Sequence, residues 1–265
     1  MLCPQGRAQE QLNCLSKNSA IVGLKISTEK TVQMRNNLPQ NQDPPPNLVI
    51  DGHTIEIVEE FKYLGSYINS IEKDVNIRIA LAWTAFDKLK SILRHRTSKL
   101  SVELKMRIFQ AACVSILLYG CESWVLTQQL GEKLDIFART CYRIMMGIRQ
   151  SEARMTNEQL YKLAGQRPIT WSIRKRQLNF IGHVIRLDDP DKPPTEPANI
   201  YALYKSNFKK SSGRPGTSRK SYTDQISEHI SGDRCIKYNE AEIRAFAGDK
   251  KNWIRVVVAP NKPAR

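Results

Sequence analysis

The sequence predicts an α+β chain: a small antiparallel β-containing piece first, then a mainly helical, basic remainder. Three observations predict it. "LVIDGHTIEIV" (48–58) has β-branched arms around Asp51-Gly52, the residue pair that supplies positive φ to a two-residue hairpin turn. From Asp74 the apolar residues Val75, Ile79, Ala82, Phe86, Leu89 and Leu93 recur in steps of four and three, one face of a helix. The formal charge of +15 is uneven: residues 1–60 carry −2, 61–150 carry +7 and 151–265 carry +10.

The elements follow in order. Residues 7–23 read as a helix with Leu12, Leu15 and Ala20 on one side and Gly23 at its end. "LKIS" and "TVQM" are short extended pieces, and the prolines of 36–47 make a loop. "FKYLGSYI" (61–68) reads as the next strand, with Gly65 at its centre. Asp74 is the expected N-cap of the first basic helix, and Ser101 that of a second helix through about Tyr119. A third ends near Gly147. Thr156 with Gln159 forms a capping box for a fourth, which Gly165 ends, and Pro168 opens a fifth over 168–187. Residues 188–219, rich in Pro, Ser and Lys, read mostly as linker. Two short helical patterns, 221–231 and 240–248, close the chain.

Composition excludes several classes. The longest apolar run, Ile108 to Cys121, is too short for a bilayer. "MLCPQGRAQE" lacks the apolar centre of a signal peptide, so an intracellular protein of nucleus or cytoplasm is expected. The six cysteines (3, 14, 113, 121, 141, 235) form no CxxC pair and the four histidines are scattered, which favours buried thiols over a zinc site. The basic excess points to a polyanion: RNA, DNA or an RNA–DNA hybrid, with no membrane and no small-molecule substrate.

"GLKISTEKTVQM" (23–34), "FKYLGSYI" (61–68) and "ILLYGCESWVL" (116–126) occur in that order, followed by "RKRQLNFIGHVIRL" (174–187), "SGRPGTSRKS" (212–221) and "AGDKKNWIRVVV" (247–258). Together, over roughly 10–258, they resemble the C-terminal part of the reverse transcriptase of non-LTR, LINE-like retrotransposons, the kind with an upstream endonuclease. The resemblance implies a polymerase palm remnant (1–70) with a primer-grip-like strand and a thumb-like helical domain (71–150). A basic helical C-terminal region (151–187), a linker (188–219) and a helical tail (220–258) would follow. Gly23, Leu24, Lys30 and Thr31 resemble motif D, whose lysine would protonate the pyrophosphate leaving group. Ser27 stands where family members often carry Asn. Tyr63, Leu64 and Gly65 resemble the primer grip, where a glycine would let protein backbone approach nucleic-acid backbone.

The family's two-metal chemistry needs an Asp in motif A and an Asp pair in a Tyr-x-Asp-Asp turn, both before motif D. Before Gly23 this chain holds no Asp and one Glu, Glu10. Asp188-Asp189 falls after the thumb-like region and is followed by Pro190. No cofactor is therefore expected on this chain, Mg²⁺ belonging only to a full-length polymerase. The chain looks like a truncated element copy, or a gene model beginning just after the catalytic turn. A second reading is a domesticated helical interaction protein whose basic surface meets an acidic protein.

The remaining candidates are weighed against packing. Trp83, Phe86 and Trp124 fit core better than stacking platforms, and His183 fits a packing role better than a ligand. Lys30 without the carboxylates fits a surface lysine better than a general acid. Arg174, Lys175 and Arg176, between Trp171 and Phe180, form the strongest basic-aromatic cluster and are expected to contact phosphates from a helix that tolerates their removal. Residues 205–220, with Arg214, Arg219 and Lys220, could be a nucleic-acid arm or a nuclear import signal.

Overall fold

In the computed structural model, residues 7–35, 46–67, 70–94, 99–149, 154–187, 203, 220–232 and 236–259 are described. The chain divides into two units, Met1–Ser70 and Ile71–Arg265.

In the first unit, α1 (Ala8–Ile21) ends as expected, with Gly23 at φ +75°. Leu12 of α1 packs with Ile50 and Ile55, all buried, and with Ile26 and Leu48. Gln9 reinforces this contact: its Oε1 accepts from the Val49 N–H at 2.9 Å and its Nε2 donates to the Val49 carbonyl at 2.8 Å. Strands β2 (Val49–Ile50) and β3 (His53–Thr54) form the antiparallel hairpin that Asp51-Gly52 encodes, with both turn residues at positive φ. Strands β1 (Val32–Met34) and β4 (Glu56–Val58), in contrast, pair in parallel. Their connection is long enough to return the chain in the same direction, which a tight turn cannot do. "LKIS" joins no ladder. The described β-structure is thus three two-stranded ladders, two of them antiparallel.

"FKYLGSYI" is not one strand. β5 (Lys62–Tyr63) and β6 (Ser66–Tyr67) pair antiparallel, Tyr63 opposite Ser66, around Leu64 (φ +47°) and Gly65 (φ +88°). Gly65 therefore supplies the left-handed conformation of a hairpin turn. Tyr63 and Leu64 are exposed at its tip.

The second unit opens with α2 (Ile71–Lys88), whose residues Val75, Ala82 and Phe86 face inward. Asp74 lies inside the helix and not at its cap: it is buried and accepts from the Trp124 indole N–H at 3.0 Å. After a short α3 (Lys90–Leu93), Ser101 caps α4 (Val102–Phe109), accepting from the Leu104 N–H. The helix runs through a π-helical turn (Gln110–Val114) into α5 (Ser115–Leu117). α6 (Gln128–Met146) ends at Gly147, and α7 (Asn157–Ala164) carries the expected capping box and Gly165 end. α8 (Ile169–Ile185) starts directly after Pro168. One core joins these elements, and Trp83, Phe86, Phe109, Phe137 and Tyr142 meet within it edge-to-face or stacked.

A second core lies along the C-terminal half of α8. Leu178 and Ile181 pack there with Ile226 of α9 (Tyr222–Ser231), Ile243 and Ala247 of α10 (Glu240–Gly248), and Trp253 and Val257 of α11 (Lys250–Val258). Helix α11 was not expected, because its "RVVV" run is β-branched and reads poorly as helix. Leu203, from the expected linker, is fully buried in this core. The glycine that does permit a close approach is Gly182: a Cβ there would lie 2.1 Å from Trp253 Nε1, which donates to the Leu178 carbonyl at 2.8 Å. His183 points outward and is exposed, so it has no packing role.

Buried polar groups join the two cores. Gln177 is fully buried, and its Nε2 donates to the Cys121 and Trp124 carbonyls, each at 2.8 Å. Its Oε1 accepts from Gln225 Nε2 (2.8 Å) and from the His229 ring (2.9 Å), which fixes a protonated Nε2 on His229. Gln225 also donates to the Trp124 carbonyl and accepts from the Leu126 N–H. Desolvation, then the charges of Arg174 and Lys220, hold the His229 ring neutral, with its pKa pushed down to about 3.

Arg174 completes this assembly, which corrects its reading as a phosphate contact. It is 4% exposed and donates to the carbonyls of His229 (Nε 3.1 Å, Nη2 2.8 Å), Val256 (2.9 Å) and Ala259 (3.0 Å). Burial lowers its pKa from the usual value. Successive helix residues point about 100° apart, so three adjacent cations cannot share a face. Lys175 points to solvent, while Arg176 donates to the Leu118 carbonyl at 3.1 Å and lies 3.8 Å from Glu122. Removing all three would therefore break the fold. Arg174→Ala is expected to lower unfolding stability by about 3 kcal/mol or more, because it strands buried carbonyls, whereas Lys175→Ala should stay within about 0.5 kcal/mol. Urea unfolding of the full chain, followed by circular dichroism, checks both.

Candidate nucleic-acid interface

Four cations of the helical unit turn inward and leave the surface count. Besides Arg174, these are Arg78, beside Asp74 and 4.4 Å over the Tyr119 ring; Lys105, donating to the Arg94 carbonyl at 3.2 Å; and Arg139, bonded to Glu132 and Tyr161. Two acids are buried as well, Asp74 and Asp135. Asp135 accepts from the Thr170 N–H (3.2 Å) and hydroxyl (2.9 Å), which ties α6 to α8, and desolvation raises its pKa.

Exposed cations are spread over the helical unit, and four of them, Arg107, Lys162, Arg167 and Lys175, lie on α4, on α7 and at the start of α8. A groove of about 750 Å³ separates α4 and its π turn from the end of α7. Arg107, Lys162, Gln110 and Gln166 line it over an apolar floor that includes Met106 and Leu163. Gln110 Nε2 donates across it to Gln166 Oε1 at 2.8 Å. One acid, Glu103, also lines it, so its charged lining nets +1. Arg167 follows directly and places its guanidinium 4.4 Å over the Trp171 ring, and Lys175, one turn further on, places its ammonium 5.4 Å from the same ring. Arg107, Lys162, Arg167 and Lys175 are all exposed. Holding a cation over an indole limits its rotamers without neutralising it, so it stays available to phosphate.

The other sequence-predicted residues are placed as follows. Lys30 is exposed in the turn before β1, where Thr31 bonds back to the Ser27 carbonyl. Tyr63, Leu64 and Gly65 form the β5–β6 hairpin tip. Lys220 pairs with Glu228. Arg214, Arg219 and the Asp188-Asp189 pair lie outside the described residues. Lys30 and the hairpin tip belong to the first unit and the cation strip to the second. Sequence reading missed Arg107, Lys162 and Arg167, although the 171–175 spacing of indole and cation was visible as one helix face.

Little bond-making chemistry is available on this surface. Among the described residues no group of three or more His, Cys, Asp or Glu could hold a metal ion. Burial pushes the Cys113 thiol up to about 11 and Cys121 to about 12, and raises Cys141 further, so these are not thiolate nucleophiles. Cys14 is exposed, against the expectation of buried thiols throughout. No described helix is long and apolar enough to cross a membrane.

The chain is similar to an uncharacterized transposon-derived protein of Caenorhabditis elegans, 28% identical over 193 residues. The match covers 69% of this chain and 66% of the relative, so the chain spans just under two thirds of that protein's length. No family model matches the sequence. No solved structure matches it. A retrotransposon origin fits this relative.

If the strip contacts phosphates, Arg167→Ala with Lys175→Ala should flatten the slope of log K against log salt by about two for an RNA or DNA ligand. Glu103→Gln should tighten binding about twofold, since it removes the one acid lining the groove. Fluorescence anisotropy at several salt concentrations measures both.

Proposed function

We propose that this chain is the nucleic-acid-holding C-terminal part of a non-LTR retrotransposon reverse transcriptase, carrying thumb-like helices without polymerase chemistry of its own. The observation that carries the binding reading is the strip Arg107–Lys162–Arg167–Lys175, whose cations face solvent while their neighbours are tied into the fold. The ordered motifs from "GLKISTEKTVQM" to "AGDKKNWIRVVV" and the transposon-derived relative support the lineage. In this reading the Tyr63–Leu64–Gly65 tip meets the primer backbone. Lys30 is the motif D lysine, without carboxylates before it to act on. The nucleic acid is RNA, DNA or their hybrid.

The test combines binding and chemistry on the full chain. Labelled RNA, DNA and hybrid should each bind with a steep salt dependence. Primer extension on an RNA template with Mg²⁺ or Mn²⁺ should give no product. Absence of binding to all three, with capture of polyglutamate instead, would favour the acidic-protein reading. Extension by the purified chain would overturn the assignment of a non-catalytic part.

A further inference from the structure

We infer that the groove between α4 and α7 receives an unpaired base, so that the chain prefers single-stranded nucleic acid with its bases intact. This rests on the nucleic-acid reading above and names the part of the ligand that the groove takes.

The chemistry of the lining separates base from backbone. Phosphates need only the cations Arg107 and Lys162. They gain nothing from the apolar floor at Met106 and the exposed Leu163 beside it, whereas a base has an apolar face to bury there. The amides supply the edge. Since Gln110 Nε2 donates to Gln166 Oε1, Gln110 Oε1 and Gln166 Nε2 have no partner among the described residues. They leave one acceptor and one donor for a ligand, the two kinds of group with which amide side chains read a base edge.

The backbone agrees. Gln110 begins the π-helical turn that interrupts α4, and Ala111, next in that turn, also lines the groove. Such single π turns inside α-helices recur at functional sites. Their wider hydrogen-bonded ring shifts the side-chain register of the helix at that point. In a duplex the base faces are stacked and the Watson–Crick edges paired, so only an unpaired base can offer both its face and a free edge to this groove.

The test uses the full chain and three labelled probes of about 12 nucleotides: a single strand, the same strand with every base removed, and a duplex. The intact single strand should bind about tenfold more tightly than the abasic strand. Gln110→Ala with Gln166→Ala should reduce that preference to less than about twofold. Leu163→Ser, which removes apolar surface at an exposed position without adding charge, should do the same. Arg107→Ala with Lys162→Ala should weaken all three probes. Equal wild-type affinity for intact and abasic strands, or a preference that survives both the amide and the Leu163 variants, overturns the inference and leaves the binding reading standing. Failure to bind any probe overturns both.

Discussion

At the meeting of α8, α9, α11 and the turn around Cys121–Ser123, the backbone carbonyls of Cys121, Trp124, His229, Val256 and Ala259 lie at segment ends, where the regular ladder of helix bonds runs out. Gln177, Gln225 and Arg174 donate to them, and Cys121 and Val256 accept a backbone N–H as well. An unbonded buried carbonyl costs about as much as a whole helix cap, so these side chains are fixed in position by the demand of the backbone. The three contacts belong to segments up to 101 residues apart, as between Trp124 and Gln225. Helix α8 runs through both cores of the helical unit, and this polar junction, with the Tyr222 hydroxyl donating to the Glu122 carbonyl, helps to set how they meet.

Burial also decides which charges reach the surface. A formal charge of +15 suggests a uniformly basic surface, yet Arg78, Lys105, Arg139 and Arg174 are each bonded or stacked inside. Among the exposed cations, four have defined surroundings. Arg167 and Lys175 are held against Trp171, and Arg107 and Lys162 flank a groove with an apolar floor. Phosphate attraction is long-ranged and needs no precise geometry, whereas base contact needs a preformed slot. In the reading proposed above, the α4–α7 surface serves both.

Local signals were legible in the sequence where one residue type meets one steric demand. Ser101, Thr156 with Gln159, Gly147 and Gly165 all occupy the caps read for them, and Asp51-Gly52 makes its hairpin. Errors arose where tertiary partners decide. Gly65 was read as a strand interior, because Leu64 gave no hint that it too would adopt positive φ. Asp74 fits an N-cap by composition, but the Trp124 indole, 50 residues away, draws it inside. The Arg174–Lys175–Arg176 run reads as one patch in a line of text and as three directions on a helix. Helix α11 forms against its own propensity because Trp253 and Val257 fill the second core. Of the candidate interface, Lys175 was visible in the sequence. The groove was not, since Gln110 and Gln166 meet only through the fold.

The most direct test of the polar junction is unfolding free energy against pH for the wild type and His229→Gln. The His229 ring donates to Gln177, and its folded pKa is pushed down to about 3 by desolvation and the nearby Arg174 and Lys220 charges. Between that value and its ordinary 6.5, the unfolded chain binds a proton that the folded chain excludes. The wild type should therefore keep its full His229 contribution above about pH 6.5 and lose it as pH falls, by at most about 1.4 kcal/mol per unit. Carboxylates such as Asp135 titrate in both proteins and cancel in the difference. The account predicts that the wild-type curve falls more steeply than the His229→Gln curve below that pH, by up to one proton. Parallel curves would contradict it, since they would mean that the ring is open to water and the junction is not closed.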